Sequence, residues 1–263
     1  MMAESKIKAF QSFNRAFKTV GPSIARFETR NIPHEHSYVA WIDIMGASSF
    51  MRKSLADASD RIGKFHAAIL NAYGSFIESN KKSSDVSVHV LTDGAFVVSH
   101  SAQRLQAVLR DIMTSLVETF LVSSTGQKFM TRCAVAAGDI VTSATMSDRI
   151  FWKKGFKDES WSLTRNIMLG APFEKAYHLE GCAPPLGVFV DGSALGNEAF
   201  GMRNVWEWWD TSNRDQVLFI RDFRDAICDY LDFLKNNYYM HELDPGKIEN
   251  YKARVVSYFG STI

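Results

Sequence analysis

The sequence is poor in cysteine: only Cys133, Cys182 and Cys228 occur in a chain of 263 residues, and they stand far apart. None belongs to a C-x-x-C pair, which argues against both a disulfide framework and a structural zinc site. The chain also lacks the run of roughly 18 apolar residues that a membrane-spanning helix needs. Its first twenty residues alternate charged and apolar side chains, unlike a secretory signal. We therefore expect a cytoplasmic protein without membrane contact.

An excess of charge of either sign is also missing. Thirty Lys and Arg residues nearly balance 29 Asp and Glu residues, so the formal net charge is +1 at pH 7. Duplex nucleic acid and anionic lipid both require an extended basic surface, so neither is an expected partner. In contrast, 46% of the residues are hydrophobic and 22% are charged, a globular composition long enough for a substantial core.

The order of the predicted elements indicates an α+β fold. The stretch SYVAWIDIM reads as a buried strand closed by Gly46, and apolar residues at helical spacing follow over 48–80, in a helix either continuous or broken near Gly63. The stretch DVSVHVLTDGAFVVSH alternates on both sides of a turn and predicts a β-hairpin.

A second helix is predicted over 102–122, followed by the strand RCAVAAGDIVTSAT. We interpret this succession as the βαββαβ order of a ferredoxin-like sandwich, with PLGVFVD at 185–191 as its last strand. A strand-like piece and two further helices occupy 201–263 and are expected to pack on the same domain.

The remaining segments complete the predicted organisation. Residues 1–35 contain a short amphipathic helix and a lead-in, and 36–200 form the main domain. Within it, 145–169 is a polar stretch that carries several aromatic residues, which favours an interface.

Two carboxylates are predicted to meet at one edge of the sheet. Asp43 ends the first strand and Asp93 lies at the hairpin turn, and these strands are neighbours in a βαββαβ sheet. Close carboxylates attract a cation, and Mg²⁺ and Mn²⁺ commonly use one or two protein carboxylates together with substrate phosphates. The alternative is ordinary turn chemistry, because Asp-Gly is a common hairpin pair.

Small residues follow Asp43 immediately before the helix. Gly46, Ala47, Ser48 and Ser49 leave backbone N–H groups close to the predicted carboxylates. Such groups at the start of a helix can bind a polyphosphate.

Four segments of the chain resemble the class III nucleotidyl cyclase catalytic domain, over about residues 36–200. WIDIMGASSF is similar to the first metal motif of that family, D-I-x-G-F-T, and HVLTDGAFVV to the second. RCAVAAGDIV resembles its R-x-G-x-x-x-G-x-V strand, and LGAPFEKAYHLEG its W-G-x-x-V-N-x-A-x-R-L-E helix. The resemblance therefore implies the class III cyclase form of the α+β sandwich.

The resemblance also implies a site. Asp43 and Asp93 would bind two divalent ions, Mn²⁺ or Mg²⁺, and the backbone carbonyl of Ile44 would be a further ligand. The residues implied to hold the triphosphate are Ile44, Met45, Gly46, Ala47, Ser48 and Ser49.

The chain departs from the cyclase pattern at the base and at the transition state. The positions that select the base hold His89 and Ile167, which match no purine pocket. The asparagine and arginine of the family's transition-state pair fall at Glu174 and His178. Another basic group is then needed, and the candidates are His178 itself, Arg132, Lys153, Lys154, Arg165 and Lys175.

A small cyclase domain with an altered base pocket most resembles the pyrimidine nucleotide cyclases of bacterial Pycsar antiphage defence. That resemblance implies conversion of UTP to 3′,5′-cyclic UMP and pyrophosphate, and a separate effector protein that responds to the product. It also implies a homodimer with shared active sites, in which 145–169 occupies the place of a dimerisation arm. A cytidylate cyclase, a purine cyclase and a catalytically inactive nucleotide-binding module remain alternatives.

Overall fold

The computed structural model describes residues 25–27, 34–79, 85–142, 150–152, 168–196, 199–237 and 245–260. The chain divides into two compact units, one formed by 1–34 and 141–169 and the other by 35–140 and 170–263. The predicted N-terminal helix and most of the predicted dimerisation arm lie outside the described residues, as does Ile167.

Nine strands are described, numbered here in chain order: β1 (Ala25–Phe27), β2 (Glu35–Ile44), β3 (Val86–Val90), β4 (Gly94–Ser99), β5 (Thr131–Thr142), β6 (Ile150–Trp152), β7 (Met168–Leu169), β8 (Val188–Val190) and β9 (Val205–Trp206). The described α-helices are α1 (Ala47–Lys53), α2 (Leu55–Ser79), α3 (Ala102–Val122), α4 (Ala171–Leu179), α5 (Arg214–Asn236) and α6 (Pro245–Gly260). None of these described helices is long and apolar enough to cross a membrane.

In the smaller unit the described backbone consists of paired strands. β1 and β6 form an antiparallel pair, and β7 pairs in the same sense with Val141 and Thr142, the last residues of β5.

In the larger unit one sheet has the strand order β3-β4-β2-β5-β8-β9. β4 lies antiparallel between β3 and β2, and β5 is antiparallel to the other side of β2. The path from β2 through α2, β3, β4 and α3 to β5 is therefore already a complete βαββαβ unit, and the predicted α+β class is confirmed.

The predicted role of 185–191 as the last strand of that unit is wrong. β8 does form within this stretch, but it pairs in parallel with β5, beyond the completed unit. β5 has already taken the closing position, so β8 and β9 extend the sheet at that edge.

The two faces of the sheet differ in what covers them. Along β2, Ala40, Ile42 and Ile44 belong to the main apolar cluster, which also includes the buried stripes of α2 and α3. Successive side chains of a strand point to opposite faces, so Trp41 and Asp43 lie on the other face, called here the second face. Burial of each large apolar side chain contributes about 1.5–3 kcal/mol, so the cluster fixes which face Asp43 occupies.

The first long helix is interrupted at Ser54, and not near Gly63. The Ser54 N–H donates to the carbonyl of Phe50, and its hydroxyl oxygen accepts a hydrogen bond from the N–H of Asp57. α1 therefore ends and α2 begins within two residues, while α2 continues through Gly63. A serine that satisfies free backbone groups at a helix start is a stronger boundary than one exposed glycine.

The C-terminal helices pack on the larger unit. Phe223 of α5 contacts Phe120 of α3 edge-on, with ring centroids 5.9 Å apart. Trp209 stacks on Phe259 of α6 at 5.3 Å. Both aromatic contacts join the C-terminal segment to the main core.

Candidate active site

The structure brings Asp43 and Asp93 to the same end of the sheet. Asp43 pairs with Gly94 of β4, the residue directly after Asp93. The N–H of Ile44 donates a hydrogen bond of 2.9 Å to the backbone carbonyl of Asp93. The relative position of the two aspartates is thus fixed by the main chain.

The turn that carries Asp93 depends on the absence of a side chain at Gly94. The N–H of Leu91 donates to the Gly94 carbonyl at 2.8 Å and closes the hairpin. The indole ring of Trp41 lies over Gly94, where a Cβ atom would come within 2.2 Å of it. Trp41 and Gly94 together therefore hold the hairpin end against the strand that carries Asp43.

The electrostatic surroundings of Asp43 are unfavourable for a bare negative charge. Burial raises the pKa of its carboxyl group to about 7, the negative charges of Glu180 and Asp93 add to the rise, and Arg132 opposes it. No hydrogen bond from the described residues contributes to this balance. A divalent cation would relieve this unfavourable charge, and carboxylate oxygen is a donor that Mg²⁺ and Mn²⁺ prefer.

Within the described residues no group of three or more His, Cys, Asp or Glu side chains is arranged to hold a metal ion. Asp43 and Asp93 could therefore supply only part of a coordination shell. Backbone oxygen, water and substrate phosphate would have to complete it, which is the usual manner of Mg²⁺ binding.

Arg132 lies opposite Asp43 on β5 and forms an ion pair with Glu180. Its Nη2 donates to Glu180 Oε1 at 2.9 Å, and its Nε lies 2.6 Å from Oε2 in a close contact that is not an aligned hydrogen bond. The two side chains are only 17% and 18% exposed. The sequence contained Glu180 in the helix motif, but no pattern indicated its partner.

The loop after Asp43 has fewer free N–H groups than the sequence suggests. The N–H of Ile44 donates to Asp93 and that of Met45 to the carbonyl of Met130, so both are used by the fold. Gly46 has a φ of +75°, a conformation that glycine adopts without strain, and it begins α1. The candidate phosphate donors are therefore the N–H groups of Gly46, Ala47 and Ser48, because the Ser49 N–H donates to the Gly46 carbonyl.

The candidate base-pocket residue His89 lies on β3, the edge strand of the sheet, opposite Phe96. Alternation places its side chain on the second face, since Val88 packs against the core on the other. Its Nε2 is 3.0 Å from the Ser87 hydroxyl, and burial lowers its pKa. Burial thus favours the neutral form of the His89 ring.

Aromatic side chains form the second face beside Asp43. The ring of Trp41 contacts Phe96 and Tyr177, at centroid distances of 4.4 and 5.5 Å, and Phe173 of α4 contacts Phe96 at 5.2 Å. Tyr177 is nevertheless 54% exposed. An apolar, partly open surface therefore lies next to the carboxylates.

The candidate cations do not all lie beside Asp43. Lys175 Nζ is 3.6 Å from Asp191 Oδ2, and the Asp191 N–H donates to the carbonyl of Val135, further along β5 than Arg132. His178 is exposed, and its ring contacts Tyr177. Lys153, Lys154 and Arg165 lie outside the described residues. Of the described candidates, Arg132 alone pairs with Asp43 across the strands.

No protein-family model and no curated protein matches the sequence. Among solved structures, the chain is similar to the guanylyl cyclase Cya2, with a TM-score of 0.46, 12% identity, and coverage of 62% of this chain and 77% of that chain. It is also similar to the guanylyl cyclase domain of the RhoGC fusion protein from the aquatic fungus Blastocladiella emersonii, with a TM-score of 0.42, 14% identity, and coverage of 65% and 86%. A bacterial light-regulated adenylyl cyclase gives a TM-score of 0.40, 10% identity, and coverage of 57% and 71%. At these scores the similarities assign neither family nor activity.

Proposed function

We propose that the protein is a nucleotidyl cyclase that converts UTP to 3′,5′-cyclic UMP and pyrophosphate. The observation that carries the proposal is the pairing of Asp43 with the Asp93–Gly94 turn, which places two carboxylates at one sheet end with the Ile44–Asp93 hydrogen bond between them. Beside them lie a loop with candidate phosphate donors and a basic side chain, Arg132.

In this reaction the ribose 3′-oxygen attacks the α-phosphorus. A P–O bond forms, the bond to the bridging oxygen breaks, pyrophosphate departs with that oxygen, and the hydroxyl proton passes to solvent. Two divalent ions, when bound, would favour the 3′-alkoxide and neutralise charge on the triphosphate. Asp43 and Asp93, with the Ile44 carbonyl, would hold these ions.

The other residues would bind and orient the substrate. The N–H groups of Gly46, Ala47 and Ser48 would donate to phosphate oxygens at the start of α1, and Arg132 would offset negative charge that develops on the leaving group. Binding at several points holds the 3′-oxygen near the phosphorus, which lowers the entropic part of the barrier.

The preference for a pyrimidine rests on the base positions. His89 and Ile167 differ from a purine pocket, and a neutral His89 ring on the second face could hydrogen-bond to a pyrimidine edge. We place the reaction in the cytoplasm, in the antiphage response that the resemblance implies, with cyclic UMP read by a separate effector.

We further propose a homodimer with shared sites. The exposed Tyr177 on the second face, beside the carboxylates, favours coverage by a second copy of the chain. His178, which is exposed on α4, would then be available to the site of the partner, whereas Lys175 is already paired with Asp191.

A nucleotide-binding module without catalysis is the second candidate. Glu174 and His178 stand where the resemblance would place the transition-state asparagine and arginine, and Lys175 is held by Asp191. Such a module would keep the carboxylate site and bind a metal–nucleotide complex, but would release no pyrophosphate.

The deciding experiment is incubation of the purified protein with ATP, GTP, CTP or UTP and Mn²⁺, with products identified by chromatography and mass. Cyclic UMP from UTP, absent with an Asp43→Asn variant, is the expected result. A cyclic purine or cyclic CMP would keep the cyclase and remove the uridylate assignment. Binding of a nucleotide without any product would favour the inactive module.

A further inference from the structure

Arg132 beside Asp43 is held in place by residues outside the two metal motifs. Glu180 is the first residue of the 3₁₀ turn Glu180–Cys182. Its carboxylate contacts the Nη2 and Nε atoms on one edge of the Arg132 guanidinium group. With both side chains mostly buried, Arg132 has little freedom to adopt another rotamer.

The position of Arg132 relates directly to the loop after Asp43. It lines a small cavity of about 40 Å³ together with Met45 and Gly46, and it pairs with Asp43 across β2 and β5. By fixing the orientation of the Arg132 guanidinium group, Glu180 therefore fixes the position of this positive charge next to the candidate phosphate donors.

Glu180 is in turn positioned from the C-terminal segment. Arg254 of α6 donates from Nη1 to the carbonyl of Gly181 at 3.0 Å, and from Nη2 to the carbonyl of Cys182. These are the two residues that follow Glu180, so α6 ties the turn from outside. A continuous series of contacts thus leads from Arg254 through the turn to Glu180 and Arg132.

We propose that Glu180 is a positioning residue, held by Arg254, that orients Arg132 toward the phosphates bound beside Asp43. The inference rests on the proposed function of the same site, and it adds that Glu180 sets the orientation of the Arg132 guanidinium group. It also gives the C-terminal helix α6 a role in the site besides packing.

A purely structural ion pair is the competing explanation. Buried ion pairs are often replaceable by apolar residues without loss of stability, so their presence alone is weak evidence for a stabilising role. Moreover, the negative charge of Glu180 raises the pKa of Asp43, so the pair brings an unfavourable charge to the candidate metal ligand. A test must therefore separate orientation from both stability and charge.

The test uses inorganic tripolyphosphate with Mn²⁺ as the probe, measured by titration calorimetry on the full chain. This probe contains no base and no 3′-hydroxyl, so it reports the phosphate site alone. The main variant is Glu180→Asp, which keeps the charge but shortens the side chain by one methylene and cannot reach both guanidinium nitrogens. We expect its dissociation constant to rise about tenfold, because one charge-assisted contact to phosphate is misdirected.

A second variant separates the effect of charge from the effect of orientation on tripolyphosphate binding. Glu180→Gln removes a negative charge near a polyanion, which by Coulomb attraction alone would tighten tripolyphosphate binding. Weaker binding is therefore the result expected from lost orientation. Arg132→Gln should weaken binding further, and Arg132→Gln/Glu180→Gln should be no weaker than Arg132→Gln, since Glu180 acts through Arg132.

The C-terminal contact has its own matched pair of variants. Arg254→Gln should raise the dissociation constant a few-fold, because the turn loses its two tethers. Lys252→Met on the same helix breaks an ion pair with Asp232 at 2.6 Å that touches no site residue, and should leave binding unchanged. Melting curves of all variants show whether each chain is folded at the titration temperature.

Three outcomes overturn the inference: Glu180→Asp binding within twofold of the parent, additive losses in the double variant, or no tripolyphosphate binding by the parent. Failure of the proposed function looks different. In that case no cyclic product forms from any nucleotide, while the coupling between Glu180 and Arg132 in tripolyphosphate binding persists.

Discussion

Asp43 of β2 and Arg132 of β5 stand directly opposite each other in the sheet. Adjacent strands lie about 4.8 Å apart, so a candidate metal ligand and a candidate phosphate-binding cation are fixed by one backbone register. Both lie on the second face, where exposed aromatic surface adjoins them.

The first prediction concerns the carboxylates. Asp43→Asn and Asp93→Asn should each lower turnover at least about a hundredfold, because metal coordination supplies several kcal/mol of transition-state stabilisation. Neither should lower the melting temperature, since each removes a negative charge from a group of neighbouring carboxylates. Asp139→Asn is the control, because Asp139 pairs with His36 at the other end of the same ladder and should keep full activity. Retained activity in either site variant would remove the metal assignment.

The second prediction concerns the close approach of Trp41 to Gly94. Gly94→Ala should lower the free energy of unfolding by about 1–3 kcal/mol, because its Cβ would overlap the indole ring. Gly63→Ala in α2 meets no atom within 4 Å and should raise stability by up to about 1 kcal/mol. Urea denaturation of both variants measures the difference, and an unchanged midpoint for Gly94→Ala would contradict the described ring position.

The third prediction is a pH dependence that arises from His89. Burial holds its folded pKa below the value of about 6.5 expected in the unfolded chain. The unfolded state therefore binds the proton more readily, and stability falls as the pH is lowered through about 6.5. His89→Gln should lose less stability than the parent between pH 7.5 and 5.5, as measured by chemical denaturation. Parallel profiles of the two proteins would show that His89 is accessible to solvent.

The fourth prediction concerns the second face as a dimer interface. Tyr177→Glu should shift the protein from dimer to monomer in sedimentation velocity, because the interface would have to bury a charge. Turnover should fall in parallel, since the proposed sites are shared. Val122→Glu alters another exposed apolar side chain, 84% accessible at the end of α3, and should leave the dimer intact. A parent protein that is monomeric at micromolar concentration would remove this proposal.

The fifth prediction uses the free cysteines. Cys182 is exposed, whereas Cys133 is buried and burial raises the pKa of its thiol. A thiol reagent should therefore modify Cys182 rapidly and Cys133 only after unfolding. In a Cys228→Ser background, which removes the partly buried third thiol, Cys182→Ser should remove the fast phase. A fast phase that survives this change would contradict the exposure of Cys182 and the burial of Cys133.

Local patterns in the sequence predicted most of the fold. The helical spacing over 102–122 coincides with α3, and the alternation around the TDG turn gives β3 and β4. Both signals are contained in short stretches. The break at Ser54 was missed because Gly63 is the more visible irregularity, although an exposed glycine inside a long helix costs only about 1 kcal/mol.

Contacts between segments that are distant along the chain could not be predicted from the sequence. The hydrogen bond between Arg132 and Glu180 spans 48 residues, and those from Arg254 to the turn span 72 and 73. Neither periodicity nor spacing encodes such pairings. The same reason explains the wrong place given to β8, since its pattern predicts a strand but not its neighbour in the sheet.

The contact of Arg254 with Gly181 and Cys182 also bears on when the site forms during synthesis. α3, the hairpin and β5 can make their contacts with β2 and with one another while later parts of the chain are still being made, because all these elements lie within the first 142 residues. The turn after Glu180 acquires its tethers only once α6 has left the ribosome and docked. We therefore expect nascent chains that lack α6 to carry both aspartates on an otherwise folded sheet and yet to hold Arg132 loosely, so that the proposed activity would appear only after α6 has docked.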